Sequence, residues 1–229
     1  RIAPEAPVPI IVPERETSNP GMAGNVVANL KKLGANVDFI TNRNEIFKIR
    51  YVCSKYNYLL LRVDENDACE HISNDVLENI NWDEYDAVVI SDYCKGFLEE
   101  EDIAYIAENS YRTFLDTKKV INNIFADKIS YIKINENEFA KCRGHISQKI
   151  LAKTIVTLSS QGCIHDGQIY SVQKVDVKDN TGAGDTFLAG LAVKFCQTGD
   201  IEKAINYANK CATYVVQRKG TTVVNPKEI

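Results

Sequence analysis

Residues 179–190 read DNTGAGDTFLAG, a polar, glycine-bearing turn running straight into an apolar helical stretch. Gly182 and Gly184 carry no Cβ where the backbone must turn sharply or approach a ligand. The first N–H groups of the following helix have no partner inside that helix, and they face the turn. Such an end attracts a phosphate or another anion. Asp185 stands among those donors, where a bound anion would repel it. One reading resolves the conflict: the amides hold charge developing on a transferred phosphoryl group, and Asp185 takes the proton of the attacking hydroxyl. A glycine turn with an N-terminal cap is the other reading, and spacing alone leaves both open.

The rest of the chain alternates extended and helical patterns. Strands are predicted at 37–41, 47–53, 58–63, 85–90, 112–115, 129–134, 154–158, 163–165 and 168–172. Helices are predicted within 19–34 and at 73–80, 98–109, 186–198 and 201–218. Alternation of this kind implies an α/β fold: an open, mainly parallel sheet covered by helices on both faces, with the glycine turn at the carboxyl end of the strands. Prolines at 4, 7 and 9 forbid a helix in the first residues and suit an extended edge segment. The seven cysteines are scattered and form no CxxC pair, which fits reduced thiols of a cytoplasmic protein better than a disulfide framework or zinc site. A net charge of −4 gives no general polyanion-binding surface, so no nucleic acid is expected. No apolar run is long enough to span a membrane.

The string DNTGAGD followed by TFLAG resembles the C-terminal signature of the ribokinase-like (PfkB-type) carbohydrate kinases. That resemblance implies a three-layer sandwich with a small β lid. It implies catalysis by Asp185 as base, with the backbone of Gly182, Ala183 and Gly184 as anion hole. It extends over nearly the whole chain. Gly24 and Asn25 match a GGxxN-like sugar-contacting string. Asn135 and Glu138 of NENE match the NxxE string that organises Mg²⁺ through water, although alone they read as a helix N-terminus with favourable acids. Thr157, Ser159 and Gly162 match a nucleotide loop for ATP, and Asn209 matches an asparagine near the adenine. Asp116-Thr-Lys118 is similar to a DPK string.

Two further strings, RIAPEAPVP at the start and SDYCKG at 91–96, resemble the heptose-phosphate kinases of the ADP-heptose pathway, which supplies lipopolysaccharide precursors. By that resemblance Lys95 neutralises a phosphate, and Asp92 bonds sugar hydroxyls or orients Lys95. For both residues, a turn with solvated charges is the other reading. The expectation is one kinase domain over 1–229, with lid strands from about 1–18 and 47–64. It would phosphorylate a sugar phosphate, most specifically D-glycero-β-D-manno-heptose 7-phosphate at its anomeric hydroxyl, with ATP and Mg²⁺, and act as a homodimer. Met22 stands where the family has a second glycine, the loops after 41 and between 139 and 154 are short, and a first strand is missing. These departures keep two alternatives open: a non-catalytic relative that only binds nucleotide or sugar phosphate, and a kinase for another sugar.

Overall fold

The computed structural model describes residues 1–56 and 58–229; Asn57, in the SKYN turn, lies outside the described residues. Six strands form the main sheet in simple sequence order: β3 (Val88–Asp92), β4 (Thr113–Thr117), β5 (Tyr131–Asn135), β6 (Thr154–Thr157), β7 (Cys163–His165) and β8 (Gln168–Tyr170). The first four run parallel, and β7 and β8 close the sheet as an antiparallel hairpin around Asp166-Gly167. Successive strand residues face opposite sides of a sheet, and each face packs an apolar core here. On one side Phe114, Tyr131 and Ile155 meet α1 (Met22–Lys32), α6 (Ala183–Thr198) and α7 (Ile201–Val216). On the other, Ile90, Leu115, Ile132 and Ile134 meet α3 (Glu100–Asn109), along with Leu77 of α2 (Asn74–Glu78), Cys142 of α4 (Glu136–Cys142) and Ile150 of α5 (Gln148–Leu151). This is the three-layer arrangement expected from the strand–helix alternation.

The helices take their lengths from local chemistry. α6 is buried from Asp185 through Ala192, as a helix apolar all round must be, while α7 has one apolar stripe. Asp200 caps α7 by accepting from the Lys203 N–H at 3.0 Å. Gly190 lets α6 and α7 approach closely, since a Cβ there would lie 3.0 Å from Cys211 Sγ.

A separate two-stranded antiparallel ribbon, β1 (Phe47–Val52) with β2 (Leu59–Glu65), forms the small lid sheet. None of its residues belongs to either apolar core.

Two predicted strands are not found. The N-terminal arm folds back on itself through a single Ile2–Pro9 bridge and adds no strand to the lid. Prolines 4, 7 and 9 have no N–H with which to pair. Residues 37–41 carry no regular secondary structure and make no ladder, although β3 pairs only with β4. Phe39 and Ile40 stay exposed, and Asp38 accepts instead from the Tyr85 hydroxyl at 2.8 Å.

Candidate active site

The residues predicted for catalysis lie where the parallel strands end and α6 begins. Gly182 is left-handed at φ 81, and no side chain caps the helix. A Cβ on Gly182 would lie 2.5 Å from Asn25 Nδ2, and one on Gly184 would lie 2.7 Å from Lys133 Nζ. Gly182 is favoured by its positive φ as well as by Asn25, and a side chain at Gly184 would displace the Lys133 ammonium. An uncapped helix N-terminus beside a lysine ammonium suits the phosphates of a nucleotide.

Asp185 is buried in the first turn of α6, at 7% exposure. Asn25 Nδ2 donates to its Oδ2 at 2.9 Å, and the Tyr93 hydroxyl donates to its Oδ1 at 2.8 Å. Burial is the largest influence on its carboxyl and pushes the pKa up; the Asn25 and Tyr93 bonds pull it down, Asp116 pushes it up and Lys133 pulls it down, and the net shift is upward. A base works deprotonated, so activity is expected to fall as pH drops through a value above the ordinary aspartate range of about 4. The acid limb of a kcat/KM–pH profile measures this, and a limb at or below that range would exclude the assignment.

Beneath the turn lies a second charged layer. Lys133 Nζ donates to Asp116 Oδ2 at 2.6 Å, and both residues are buried. Lys118 Nζ donates to Glu138 Oε1 at 2.5 Å and stands 3.9 Å from Asp116 Oδ1, a buried oxygen with no hydrogen-bond partner.

The predicted Mg²⁺ residues Asn135 and Glu138 form a capping box: Asn135 Oδ1 accepts from the Glu138 N–H at 2.9 Å, and Glu138 Oε2 accepts from the Asn135 N–H at 2.8 Å. Among the described residues no three His, Cys, Asp or Glu side chains converge as a metal site. With both Glu138 oxygens already accepting, this donor set fits a cation held through its water shell.

A cleft of about 1080 Å³ opens beside this cluster, walled by Gly21, Gly24, Asp92, Tyr93 and Lys95 among others. Gly24 packs tightly, since a Cβ there would lie 2.6 Å from Pro20 Cβ. Met22 has φ 40, a backbone state that favours glycine. Asp92 does not orient Lys95. Its oxygens accept from the Cys94 N–H at 2.9 Å and the Thr117 hydroxyl at 2.6 Å. Lys95 instead pairs with Asp67 at 2.5 Å, since Asp67 follows the lid and Cys69 N–H bonds the Lys95 carbonyl at 2.8 Å.

Thr157, Ser159 and Gly162 do form a loop at the end of β6. Thr157 Oγ1 donates to the Ile134 carbonyl at 3.3 Å, Ser159 has φ 52, and a Cβ on Gly162 would lie 2.0 Å from the Tyr170 carbonyl oxygen. Asn209 is neither exposed nor free. It is buried on α7 and donates to the Tyr170 carbonyl at 3.0 Å, tying the helix to β8.

Four site residues carried no assigned role in the sequence: Tyr93, Asp116, Lys118 and Lys133. Three lie inside strings already singled out, SDYCKG and DTK. Lys133 carried one signal, a charge between the two isoleucines of the strand YIKIN.

The profile described as pfkB family carbohydrate kinase matches residues 75–228. Among curated relatives, the bifunctional protein HldE of Aliarcobacter butzleri is 29% identical over 282 residues, covering all of this chain and 59% of the relative. HldE of Nitratiruptor sp. is 30% identical over 279 residues, covering all of this chain and 60% of the relative. The chain therefore spans about three-fifths of these relatives' length. Both alignments are longer than this chain's 229 residues, so the relatives carry segments it lacks between the matched ends. Among solved structures, phosphofructokinase-2 from Escherichia coli in complex with potassium superposes with a TM-score of 0.67 at 14% identity, covering 96% of this chain and 91% of that one. Ribokinase from Thermotoga maritima does so with a TM-score of 0.58 at 18% identity, covering 78% and 66%. These likenesses establish the fold. Among the described residues no helix is long and apolar enough to cross a membrane.

Proposed function

The chain belongs to the pfkB family of carbohydrate kinases, and from that premise we propose that it phosphorylates a sugar phosphate from ATP, with D-glycero-β-D-manno-heptose 7-phosphate, at its anomeric hydroxyl, as the acceptor. The observation carrying the reading is Asp185, its two oxygens held by Asn25 and Tyr93, beside the uncapped N-terminus of α6.

In this reading Asp185 takes the proton of the acceptor hydroxyl as its oxygen forms the new bond to the γ-phosphorus. The bond to the ADP oxygen breaks in line, and the electron pair leaves with ADP. The amides of Gly182, Ala183 and Gly184 meet the charge on the phosphoryl oxygens, reinforced by Lys133 beneath Gly184. ATP, when bound, supplies the phosphoryl group, and Mg²⁺ offsets its charge. Asn135 and Glu138 would hold that cation through its water shell, and Lys118 would add a positive charge beside them. The Thr157–Gly162 loop borders the nucleotide, and Asn209 supports it by fixing β8. Gly24, Asn25, Asp92 and Lys95 line the sugar side, and Lys95 exchanges its Asp67 partner for the substrate's existing phosphate.

Residues 1–229 act as one kinase domain, with 47–64 as its lid. Leu59, Leu60 and Leu61 are each about half exposed on a strand with an unpaired edge, which supports a homodimer formed through the lid. The similarity to HldE proteins supports the heptose assignment.

A coupled ADP-release assay tests the proposal. Release should rise on adding heptose 7-phosphate and should rank it by kcat/KM above fructose 6-phosphate and ribose. Another sugar at the head of the panel would correct the substrate; no stimulation by any sugar would favour the binding-only relative.

A further inference from the structure

The cleft does not reach the proposed base directly. Tyr93 lines it, whereas Asp185 does not. The Tyr93 hydroxyl lies on Asp185 Oδ1 at 2.8 Å, and the carboxylate's other oxygen is held by Asn25. An alcohol arriving from the cleft therefore meets the tyrosine first. The contact it would make with the base is already made, by another alcohol.

We infer that Tyr93 is a resident hydroxyl on Asp185: it occupies the acceptor's place on the base, denies that place to water, and is displaced when a sugar hydroxyl arrives. The inference rests on the proposed phosphoryl transfer. Tyr93 is a positioning residue in this scheme and is not consumed.

Three observations fit the role. Burial and the neighbouring Asp185 charge both push the phenol's pKa up, so it remains an O–H donor throughout the working pH range. Tyr93 belongs to the short turn after β3, shaped by the Cys94 N–H bond to Asp92 and by Cys94 itself at φ 53, so displacing its hydroxyl breaks no strand pairing. Lys118, which bonds Glu138, also stands 5.7 Å above the Tyr93 ring. Groups that draw on Lys118 on the nucleotide side thus touch the tyrosine's setting too.

The chemistry at stake is hydrolysis. With the base exposed and no sugar bound, Asp185 can take a proton from water as its oxygen bonds the γ-phosphorus, releasing ADP and inorganic phosphate. A hydrogen bond to a charged group that must be broken first holds that reaction back by roughly tenfold or more.

The test uses the full chain and measures phosphate release from Mg·ATP without sugar. Tyr93→Phe, which keeps the ring, should raise this rate about tenfold or more, and should lower the sugar KM because the acceptor no longer displaces a bonded hydroxyl. Tyr93→Leu, which removes the ring as well, should raise the hydrolysis too. Adding Asp185→Asn to Tyr93→Phe should abolish the excess. Hydrolysis at the wild-type rate in both single variants overturns the inference while sugar-dependent ADP release by the wild type leaves the kinase reading standing. Excess hydrolysis that persists without Asp185 overturns it as well. A wild type that no sugar stimulates removes the kinase reading, and this inference with it.

Discussion

Replacing Asp185 by Asn slows sugar-dependent turnover by about 10²–10⁴-fold, the contribution of a positioned general base, while ATP binding stays within a few-fold of wild type. The substitution keeps the shape of the side chain. Its amide oxygen still accepts from one of the two donors, and the other contact is recovered by rotation of the Tyr93 hydroxyl, which can accept as well as donate. Folding is therefore preserved, and the loss falls on kcat. Single-turnover kinetics and calorimetric ATP binding separate the two quantities. Near-wild-type kcat would remove Asp185 from the chemistry, and loss of ATP binding together with kcat would show that the variant had damaged the cradle instead.

The largest expected loss of stability comes from Lys133. Its ammonium is buried against Asp116 at 2.6 Å, and the other Asp116 oxygen has no hydrogen-bond partner. Lys133→Met leaves that carboxylate buried with only Lys118, 3.9 Å from its other oxygen, to offset its charge, which costs up to about 3–5 kcal/mol. Removing both charges with Lys133→Met and Asp116→Leu should restore most of that stability, because a buried pair is worth little against well-packed apolar groups. Activity should not return, since the charge beneath Gly184 is gone. Urea denaturation with an unchanged slope reads the stability change, and ADP release reads the activity. A single variant within about 1 kcal/mol of wild type would mean that water or a shifted side chain relieves the carboxylate.

That pair also shows what the sequence carried and what it withheld. The order of strands and helices was legible because each central strand is a short apolar run bounded by polar residues, and each long helix has its stripe or its caps. The turn at 179–185 announced the start of α6 because glycine and a helix start are local features. Asp116 and Lys133 are seventeen residues apart and become neighbours only through the parallel register of β4 and β5, which places them directly opposite each other. Register depends on packing across the sheet and is not written in either strand alone. The same holds for Tyr93 and Asn25, which reach Asp185 across 92 and 160 residues. Lys95 read as a free phosphate ligand because its partner, Asp67, comes from the segment after the lid. At 37–41 the apolar pattern suggested a strand that is not formed, because a pattern does not supply a partner edge. The capping box at Asn135 and Glu138 is the helix N-terminus that these residues suggest when read alone.

The lid ribbon draws on neither apolar core, and a two-stranded hairpin is marginal in water by itself. Its melting and that of the body are consequently distinct thermodynamic events. A midpoint taken from the buried sheet describes only the body, and the ribbon's own equilibrium moves with whatever lies against it.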